Sequence, residues 1–214
     1  MGIRRRMMAS TELPPGYERK EYLLRPSQNA RINTDVPGND TTIRIYADMM
    51  MLGFTQYGGL LGNTAGETSC CWRLLTSTSS YKNVLIFTCM NRRAGSSSSV
   101  RATNVTELQG HRIQTLMEYG KASLTVEGST FSTTITADGT TAISSNRLAI
   151  GSSNVTATGS AMDTRFYAVK IWAGGKLVRD YVPCVRKADD KVGFYDLVNH
   201  TFNPSIGTAE FTVE

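Results

Sequence analysis

Apolar and polar residues alternate in the C-terminal part of the chain, and this alternation predicts short antiparallel strands. The run RFYAVKIW begins at residue 165. A period of two is typical of a strand with one buried face. The alternation separates two sets of side chains: Phe166, Ala168 and Trp172 on one face, and Tyr167, Val169 and Ile171 on the other. Gly174-Gly175 then provides the positive φ angles of a tight hairpin, and KLVRDYV is the predicted partner strand.

Similar short runs recur from residue 17 onwards, and turn residues separate them every 8–12 residues or so. Asp138-Gly139 and Asp189-Asp190 are two such turns. No segment has helical periodicity over three turns. The pattern therefore predicts an all-β fold with roughly a dozen strands in an antiparallel sandwich or barrel. Residues 1–16 are predicted to form a flexible basic arm, and residues 17–214 a single domain.

The composition limits the compartment and the chemistry of the protein. The chain has 214 residues, of which 40% are hydrophobic. It has no run of the roughly 20 apolar residues that a membrane span requires, and no apolar segment of signal-peptide length follows the basic start. We therefore expect synthesis in a cytoplasm and no membrane insertion.

The cysteines and histidines do not form a metal-binding pattern. Cys70, Cys71, Cys89 and Cys184 are expected to be reduced and to act as small hydrophobic side chains rather than to form disulfides. No C-x-x-C motif is present, and both histidines are distant from the cysteines in sequence. The sequence therefore predicts no metal site.

The formal net charge is +5, and three of the cations are adjacent at Arg4, Arg5 and Arg6. This cluster has two interpretations. It is either a solvated terminus, or an arm that docks on an acidic surface of a neighbouring subunit or on nucleic acid. The other lysines and arginines are scattered and accompany no nucleic-acid-reading motif, so specific nucleic-acid binding by the domain is not predicted.

Both ends of the chain resemble a known family. The segment LPPGYERKEYLL, from residue 13, resembles the start of concanavalin A-like (laminin G-like) jelly-roll modules, which are common in bacteriophage and prophage structural genes of gut bacteria. ARINTDV is similar to the next family element, although Ala30 and Arg31 replace an aromatic lead-in and Asp35 replaces the usual glycine. KIWAGGKLVRDYVPCVRKADDKVGFYDLVNHTF resembles the closing strands, and GIRRRMM resembles leaders of such phage genes.

This resemblance implies a concanavalin A-like jelly roll in a virion structural protein, associated with the capsid or the tail. It covers most of the domain but is strong only at the two ends, since residues 48–145 diverge. Such sandwiches host lectins, adhesion modules, virion decorations and some glycosidases, so the resemblance specifies the fold better than the function. It supplies no functional residues.

Catalytic chemistry is not predicted. A glycosidase of this fold needs two carboxylates across a cleft, which on a strand appear as acidic residues at i and i+2 or i+4. The chain has Glu118, Glu127, Asp138 and Asp163 singly. Neither His111 nor His200 accompanies a nucleophile in a glycine-flanked elbow. We therefore expect a protein that is not an enzyme.

Carbohydrate recognition requires an aromatic ring for the apolar side of a sugar and planar polar groups for its hydroxyls. Trp72 beside Arg73 is one candidate, and Tyr57 in a glycine-rich turn is another. The alternative for Trp72 is a core position, because Cys70 and Cys71 beside it have buried character. We assign Trp172, Phe194 and Tyr195 to the core, so the divergent middle of the chain is the expected location of a site.

The low-complexity segment NRRAGSSSSVR is the other candidate site. Its cations Arg92, Arg93 and Arg101 lie among serines and suit a phosphate or carboxylate on an anionic cell-surface polymer. The alternative is a solvated loop. Calcium serves some lectin-type sandwiches, but the chain has no dense Asp/Asn ligand loop, and we predict no cofactor.

Three functions remain open. The first is a non-enzymatic virion protein whose lectin-like domain contacts host-surface glycan. The second is an assembly or capsid-decoration protein that binds only other virion subunits, and the third is a glycoside hydrolase. The expected partners are thus other virion proteins and host carbohydrate. Homo-oligomers are common among virion parts, but no interface motif indicates a number.

Overall fold

The chain folds as two antiparallel β-sheets. The computed structural model describes residues 12–26, 30–53, 58–63, 70–76, 84–92, 98–101, 108–135, 146–152 and 162–214. These described residues form sixteen strands and no helix. Among them, therefore, no helix exists that is long and apolar enough to cross a membrane.

Ten of the described strands form the larger sheet. They are β1 (Tyr17–Arg19), β2 (Leu23–Arg25), β4 (Arg44–Met51), β9 (Arg112–Glu118), β10 (Lys121–Val126), β11 (Ser129–Thr134), β13 (Thr164–Ala173), β14 (Lys176–Arg186), β15 (Lys191–Asp196) and β16 (Thr201–Pro204). Their order is β11–β10–β9–β4–β13–β14–β15–β16, while β1 pairs with β14 and β2 with β13.

The other six described strands form the smaller sheet. They are β3 (Ile32–Pro37), β5 (Gly59–Gly62), β6 (Cys70–Thr76), β7 (Val84–Arg92), β8 (Ser98–Arg101) and β12 (Arg147–Ile150). Their order is β3–β12–β5–β6–β7–β8. The chain passes repeatedly between the two sheets, as in a jelly roll. The predicted all-β antiparallel sandwich is confirmed.

The main hydrophobic core of the described residues lies between the sheets. Trp72 and Phe87 enter it from the smaller sheet, and Ile45, Met117 and Phe194 enter it from the larger one. The core position predicted for Phe194 is therefore confirmed. Residues at alternate positions on the larger sheet point away from this core and form its outer face.

Three of the cysteines lie in buried positions. Cys71, Cys89 and Cys184 are 0% exposed, which confirms for these three the predicted role of small apolar side chains. Burial raises the pKa of Cys89 strongly and that of Cys184 to about 12, so both thiols stay protonated at neutral pH.

Strand β13 contains a β-bulge between Phe166 and Ala168, which changes the expected alternation. Phe166, Val169 and Ile171 are all fully buried. Trp172 lies on the outer face, is half-buried and does not belong to the core cluster. The predictions that Phe166 and Trp172 share a face, and that Trp172 is a core side chain, are therefore wrong. The extra residue of the bulge shifts the phase of the strand.

The hairpins follow turn chemistry. Gly174 and Gly175 have φ values of 57° and 73°, which confirms the predicted hairpin between β13 and β14. The turn at Asp189-Asp190 is also confirmed between β14 and β15. A further hairpin, which the sequence interpretation missed, joins β10 to β11 through Glu127-Gly128. The predicted turn at Asp138-Gly139 lies outside the described residues.

A buried arginine connects the two sheets. Arg25 is 2% exposed, and its guanidinium donates hydrogen bonds to the carbonyl oxygens of Ala30 (3.1 Å), Gly59 (3.3 Å) and Met162 (3.4 Å). These carbonyls lie at or just before β3, β5 and β13. Burial lowers the pKa of Arg25 to about 10, so the side chain is still charged at neutral pH. Arg25 thus holds segments of both sheets together.

The residues near position 214 are attached to β2 and β13. Leu24 and Thr212 exchange backbone hydrogen bonds of 2.9 Å. The Glu214 carboxylate accepts hydrogen bonds from the Tyr22 hydroxyl (2.9 Å) and from Arg165, whose guanidinium lies 4.6 Å from the Tyr22 ring centroid. These two hydrogen bonds, that of Tyr22 first, lower the pKa of Glu214 below its usual value.

Arg25→Ala is expected to destabilise the protein by about 3 kcal/mol, because it removes the guanidinium donor from three buried carbonyls and creates a cavity. Urea unfolding measures the change. The exposed substitution Lys176→Ala serves as control and should change stability by less than about 0.5 kcal/mol. Equal unfolding midpoints for wild type and Arg25→Ala would contradict the role of Arg25.

Glu214→Gln is expected to lower stability at neutral pH but not in acid. A carboxyl whose pKa is lowered in the folded state contributes stability above its ordinary pKa and loses it as pH falls through the lowered value. Urea midpoints of both proteins should therefore differ at neutral pH and converge in acid. Glu210→Gln is the control and should follow wild type throughout. A pH-independent difference for Glu214→Gln would refute the assignment.

Candidate functional site

The backbones of Arg92 and Arg101, two arginines of the predicted cluster, lie at opposite ends of strand β7. Arg4, Arg5, Arg6, Tyr57 and Arg93 lie outside the described residues. Arg92 ends β7, whereas Arg101 pairs with Val84 at the start of that strand. At about 3.4 Å per residue, the backbones of Arg92 and Arg101 are therefore on the order of 27 Å apart along the strand.

Trp72 and Arg73 do not form an exposed sugar platform. Trp72 has no exposed surface and lies in the main core, which is the alternative interpretation of this residue. Arg73 is only 6% exposed, and its Nε donates to the Thr88 hydroxyl at 3.3 Å. Assigning glycan contacts to these two residues was therefore wrong, because burial removes the ring face and most of the guanidinium from solvent.

Polar and aromatic side chains instead meet on the outer face of the larger sheet. Trp172 on β13 pairs with Arg44 on β4, and Lys121 on β10 pairs with Glu118 on β9. An ion pair of 3.1 Å between Arg44 Nε and Glu118 Oε1 connects these two pairs of residues. These four side chains form a row across four adjacent strands.

A groove of about 400 Å³ lies at this row, and we call it the Trp172 groove. Its walls are Thr41, Thr42, Ile43, Arg44, Glu118, Tyr119, Trp172 and Gly175. The Arg44 guanidinium lies 5.3 Å from the centroid of the Trp172 ring. Tyr119, in the turn between β9 and β10, is 47% exposed. The groove therefore combines two aromatic side chains with a paired cation and carboxylate.

Hydrogen bonds of the Thr42 and Asp40 side chains fix one wall of the Trp172 groove. The Thr42 hydroxyl accepts a hydrogen bond from the Gly174 amide at 2.7 Å and donates one to Asp40 at 2.7 Å. The Asp40 carboxylate also accepts a hydrogen bond from the Thr42 amide at 2.7 Å. The turn before β4 is thus held against the β13–β14 hairpin, so the wall exists before any ligand arrives.

A buried carboxylate organises a second part of the outer face. Asp48, 5% exposed, accepts two hydrogen bonds from Arg112, at 2.9 and 3.1 Å, and weaker ones from Gln114 and Tyr46, both at 3.4 Å. The bond to Asp48 raises the pKa of Arg112, and burial raises that of Tyr46 to about 12. The Arg112 guanidinium lies 3.9 Å from the Tyr167 ring centroid. Arg112 is consequently fixed in orientation.

Arg112 lines a smaller groove of about 260 Å³, together with Gln114, Thr125, Glu127 and Gly128. Glu118 and Arg112 lie at the two ends of β9. At about 3.4 Å per residue the two grooves are therefore about 20 Å apart along the strand. Both grooves open on one face, which offers hydrogen-bond donors and acceptors along its length.

A third and larger groove, of about 690 Å³, lies elsewhere on the molecule and is mainly apolar. Leu13, Leu197 and Val198 contribute to its walls. Tyr195 also lines it and is buried as predicted, but it belongs to a small second cluster, where the Tyr17 ring lies 4.8 Å from its own. This groove has the character of a contact surface rather than of a polar ligand site.

The two carboxylates at the centre of the outer face are engaged in ion pairs. Among the described residues, no group of three or more His, Cys, Asp or Glu side chains could hold a metal ion. The oxygens of Asp48 and Glu118 are engaged by cations. In the sequence, the alternation within RIYADMM already indicates that Arg44 and Tyr46 share the outer face of β4. The alternation within one strand does not show which strands lie beside it, so the partners of these residues could not be predicted.

No protein-family model and no curated protein matches the chain. Domains LG4-5 of the mouse laminin alpha1 chain are 14% identical over 70% of this chain and 40% of that one, with a TM-score of 0.47. A SAP-like pentraxin from Limulus polyphemus is 8% identical over 71% and 76%, with a TM-score of 0.49. Alginate lyase A1-II′, of polysaccharide lyase family 7, is 15% identical over 66% and 66%, with a TM-score of 0.37. The chain thus spans less than half of the laminin structure, and these similarities concern the sandwich architecture alone.

Proposed function

We propose that the protein is a non-enzymatic carbohydrate-binding domain and that glycan contacts the Trp172 groove. The observation that carries this proposal is the row of Trp172, Arg44 and Glu118 beside the exposed Tyr119. An aromatic ring packs against the apolar face of a sugar. A guanidinium and a carboxylate at its edge bond the hydroxyls as donor and acceptor.

The preformed shape of the groove supports this role. The ion pair holds Arg44, and the contacts of Thr42 hold the neighbouring turn. Binding therefore orders few side chains, which reduces its entropic cost. The second groove at Arg112 extends the same face by about 20 Å, which is much longer than one sugar ring. The proposed ligand is thus an oligosaccharide or the exposed part of a longer glycan.

The state of the carboxylates supports binding without hydrolysis. A hydrolase with two carboxylates needs one as a proton donor and the other as a base or nucleophile. Glu118 contacts both Arg44 and Lys121, and Asp48 accepts both hydrogen bonds of the Arg112 fork. Carboxylates that cations engage in this way are poorly placed to deliver a proton to a leaving group.

We further propose a place for the domain in a virion, on the capsid or tail, with Arg4, Arg5 and Arg6 contributing to attachment. The resemblance of both chain ends to phage structural modules supports this assignment. The apolar groove of about 690 Å³ beside Leu13 and Val198 is a suitable contact surface for another virion protein. The same groove is the observation that favours the second candidate function, a purely structural assembly protein.

Trp172→Ala and Tyr119→Ala are each expected to weaken glycan binding about tenfold or more, because each removes aromatic contact with the sugar. A glycan array with the purified proteins identifies the bound glycan, and titration calorimetry measures its affinity. Since Tyr119 is exposed, its substitution tests the site without changing the core. Ile206→Ala, at an exposed residue outside these grooves, is the control. Unchanged binding by both variants, or no glycan bound by wild type, would refute the proposal.

Replacement of Arg4, Arg5 and Arg6 together by alanine is expected to reduce incorporation of the protein into particles. Immunoblots of purified particles, induced from a host that carries the gene, measure incorporation. Tyr119→Ala should be incorporated normally, since it changes only the glycan groove. Absence of the wild-type protein from purified particles, or full incorporation of the triple variant, would count against the virion role.

A further inference from the structure

We propose that the Trp172 groove selects neutral glycans and rejects those that carry carboxylate or sulfate groups. This inference rests on the proposed carbohydrate-binding function and names its ligand class. Its basis is the pairing of charges across the outer face of the larger sheet. A site for an anionic polymer needs cations that are free to bind it, and here the cations are already engaged with carboxylates.

Five cations of the outer face each contact a carboxylate. The pairs are Arg44–Glu118 (3.1 Å), Lys121–Glu118 (3.9 Å), Arg112–Asp48 (2.9 Å), Lys170–Asp180 (3.1 Å) and Arg165–Glu214. The pairs are distributed across several strands rather than gathered at one point. Four carboxylates thus serve five cations, with Glu118 shared between Arg44 and Lys121, and the field of each cation is weakened by the carboxylate it contacts.

The hairpin beside the groove adds no cation to it. Lys176 directly follows the wall residue Gly175 but pairs with Ala173, which packs towards the core. Because side chains on a strand alternate, Lys176 is on the face opposite to Trp172. The charges at the groove are thus those of Arg44, Glu118 and Lys121.

An anionic sugar would meet Glu118 as well as Arg44. The two side chains are in direct contact, so a ligand carboxylate that reaches the Arg44 guanidinium must approach the Glu118 carboxylate or displace it. Two carboxylates that approach the same guanidinium repel each other, and a displaced Glu118 would give up its contact with Arg44 and keep only the longer one with Lys121. The energetic gain of a new ion pair is therefore offset by the loss of the existing one.

A neutral sugar hydroxyl has no such conflict. It donates one hydrogen bond and accepts others, so the same hydroxyl can donate to Glu118 and accept from Arg44 while the ion pair stays intact. The aromatic rings of Trp172 and Tyr119 supply contact area that does not depend on ligand charge. Binding of neutral glycan should accordingly change little with salt concentration.

Matched pairs of glycans test the inference. A panel of neutral β-linked hexasaccharides, cellohexaose among them, is compared with the same oligomers oxidised to carboxylates at C6. Wild type is expected to bind members of the neutral set and to bind their carboxylated counterparts at least about tenfold more weakly. Sodium chloride should leave the neutral affinities unchanged.

Glu118→Gln is expected to remove the preference for neutral oligomers. The substitution leaves Arg44 and Lys121 without their carboxylate, so affinity for the carboxylated oligomers should rise about tenfold or more and fall again as salt is added. Asp189→Asn is the matched control. It removes the same charge and releases Arg186 at the distant β14–β15 turn, and it should bind as wild type does.

The possible results distinguish charge selection by the groove from glycan binding itself. Preferential binding of carboxylated oligomers by wild type, or no gain with Glu118→Gln, overturns charge selection while the binding function stands. An equal gain with Asp189→Asn overturns it too, because net charge and not the groove would then decide. Binding of neither set by wild type or by Glu118→Gln overturns the proposed function and this inference together.

Discussion

The register of β13 against β4 is the constraint on which the rest of the outer face depends. The bulge between Phe166 and Ala168 adds one residue at Tyr167, and the strand beyond it changes phase. Val169 and Ile171 are consequently in the core, and Trp172 is opposite Arg44 on the outside. Without the extra residue, a strand with period two would turn this whole segment over. The aromatic ring and the ion pair of the groove would then lie on opposite sides of the sheet.

The buried Arg25 contacts and the Trp172 groove lie at opposite ends of strands β4 and β13. Thr164, at the start of β13, pairs with Arg25 and with Met51, whereas Trp172 near its end pairs with Arg44. The buried guanidinium that connects the two sheets is therefore at one end of β4, and the Trp172 groove is at the other. At about 3.4 Å per residue these ends are about 24 Å apart. Changes at the groove can thus alter recognition without loosening the contacts of Arg25, and sites so far apart usually behave additively.

The sequence specified the fold class more fully than the site. Alternation and turn chemistry predicted an all-β sandwich and placed the hairpins at Gly174-Gly175 and Asp189-Asp190, since these signals are local. Trp172 was assigned to the core but lies on the outer face, whereas Trp72, for which a sugar contact and a core position were both open, lies in the core. Trp172 was misplaced because a bulge leaves no clear mark in a pattern of period two. The partnership of Arg44, Glu118 and Trp172 depends on pairing between strands distant in sequence, which one chain alone does not reveal.

The two tryptophans allow glycan binding at the Trp172 groove to be observed directly. Trp72 is sealed in the core and Trp172 lines the groove, so their indole N–H signals in a nuclear magnetic resonance spectrum report on two different places. The Trp172→Phe variant assigns the signals. Titration with a neutral oligosaccharide that the array identifies should shift the signal of Trp172 and leave that of Trp72 in place. A bound glycan that leaves the Trp172 signal unmoved would contradict the account, because its site would then lie elsewhere.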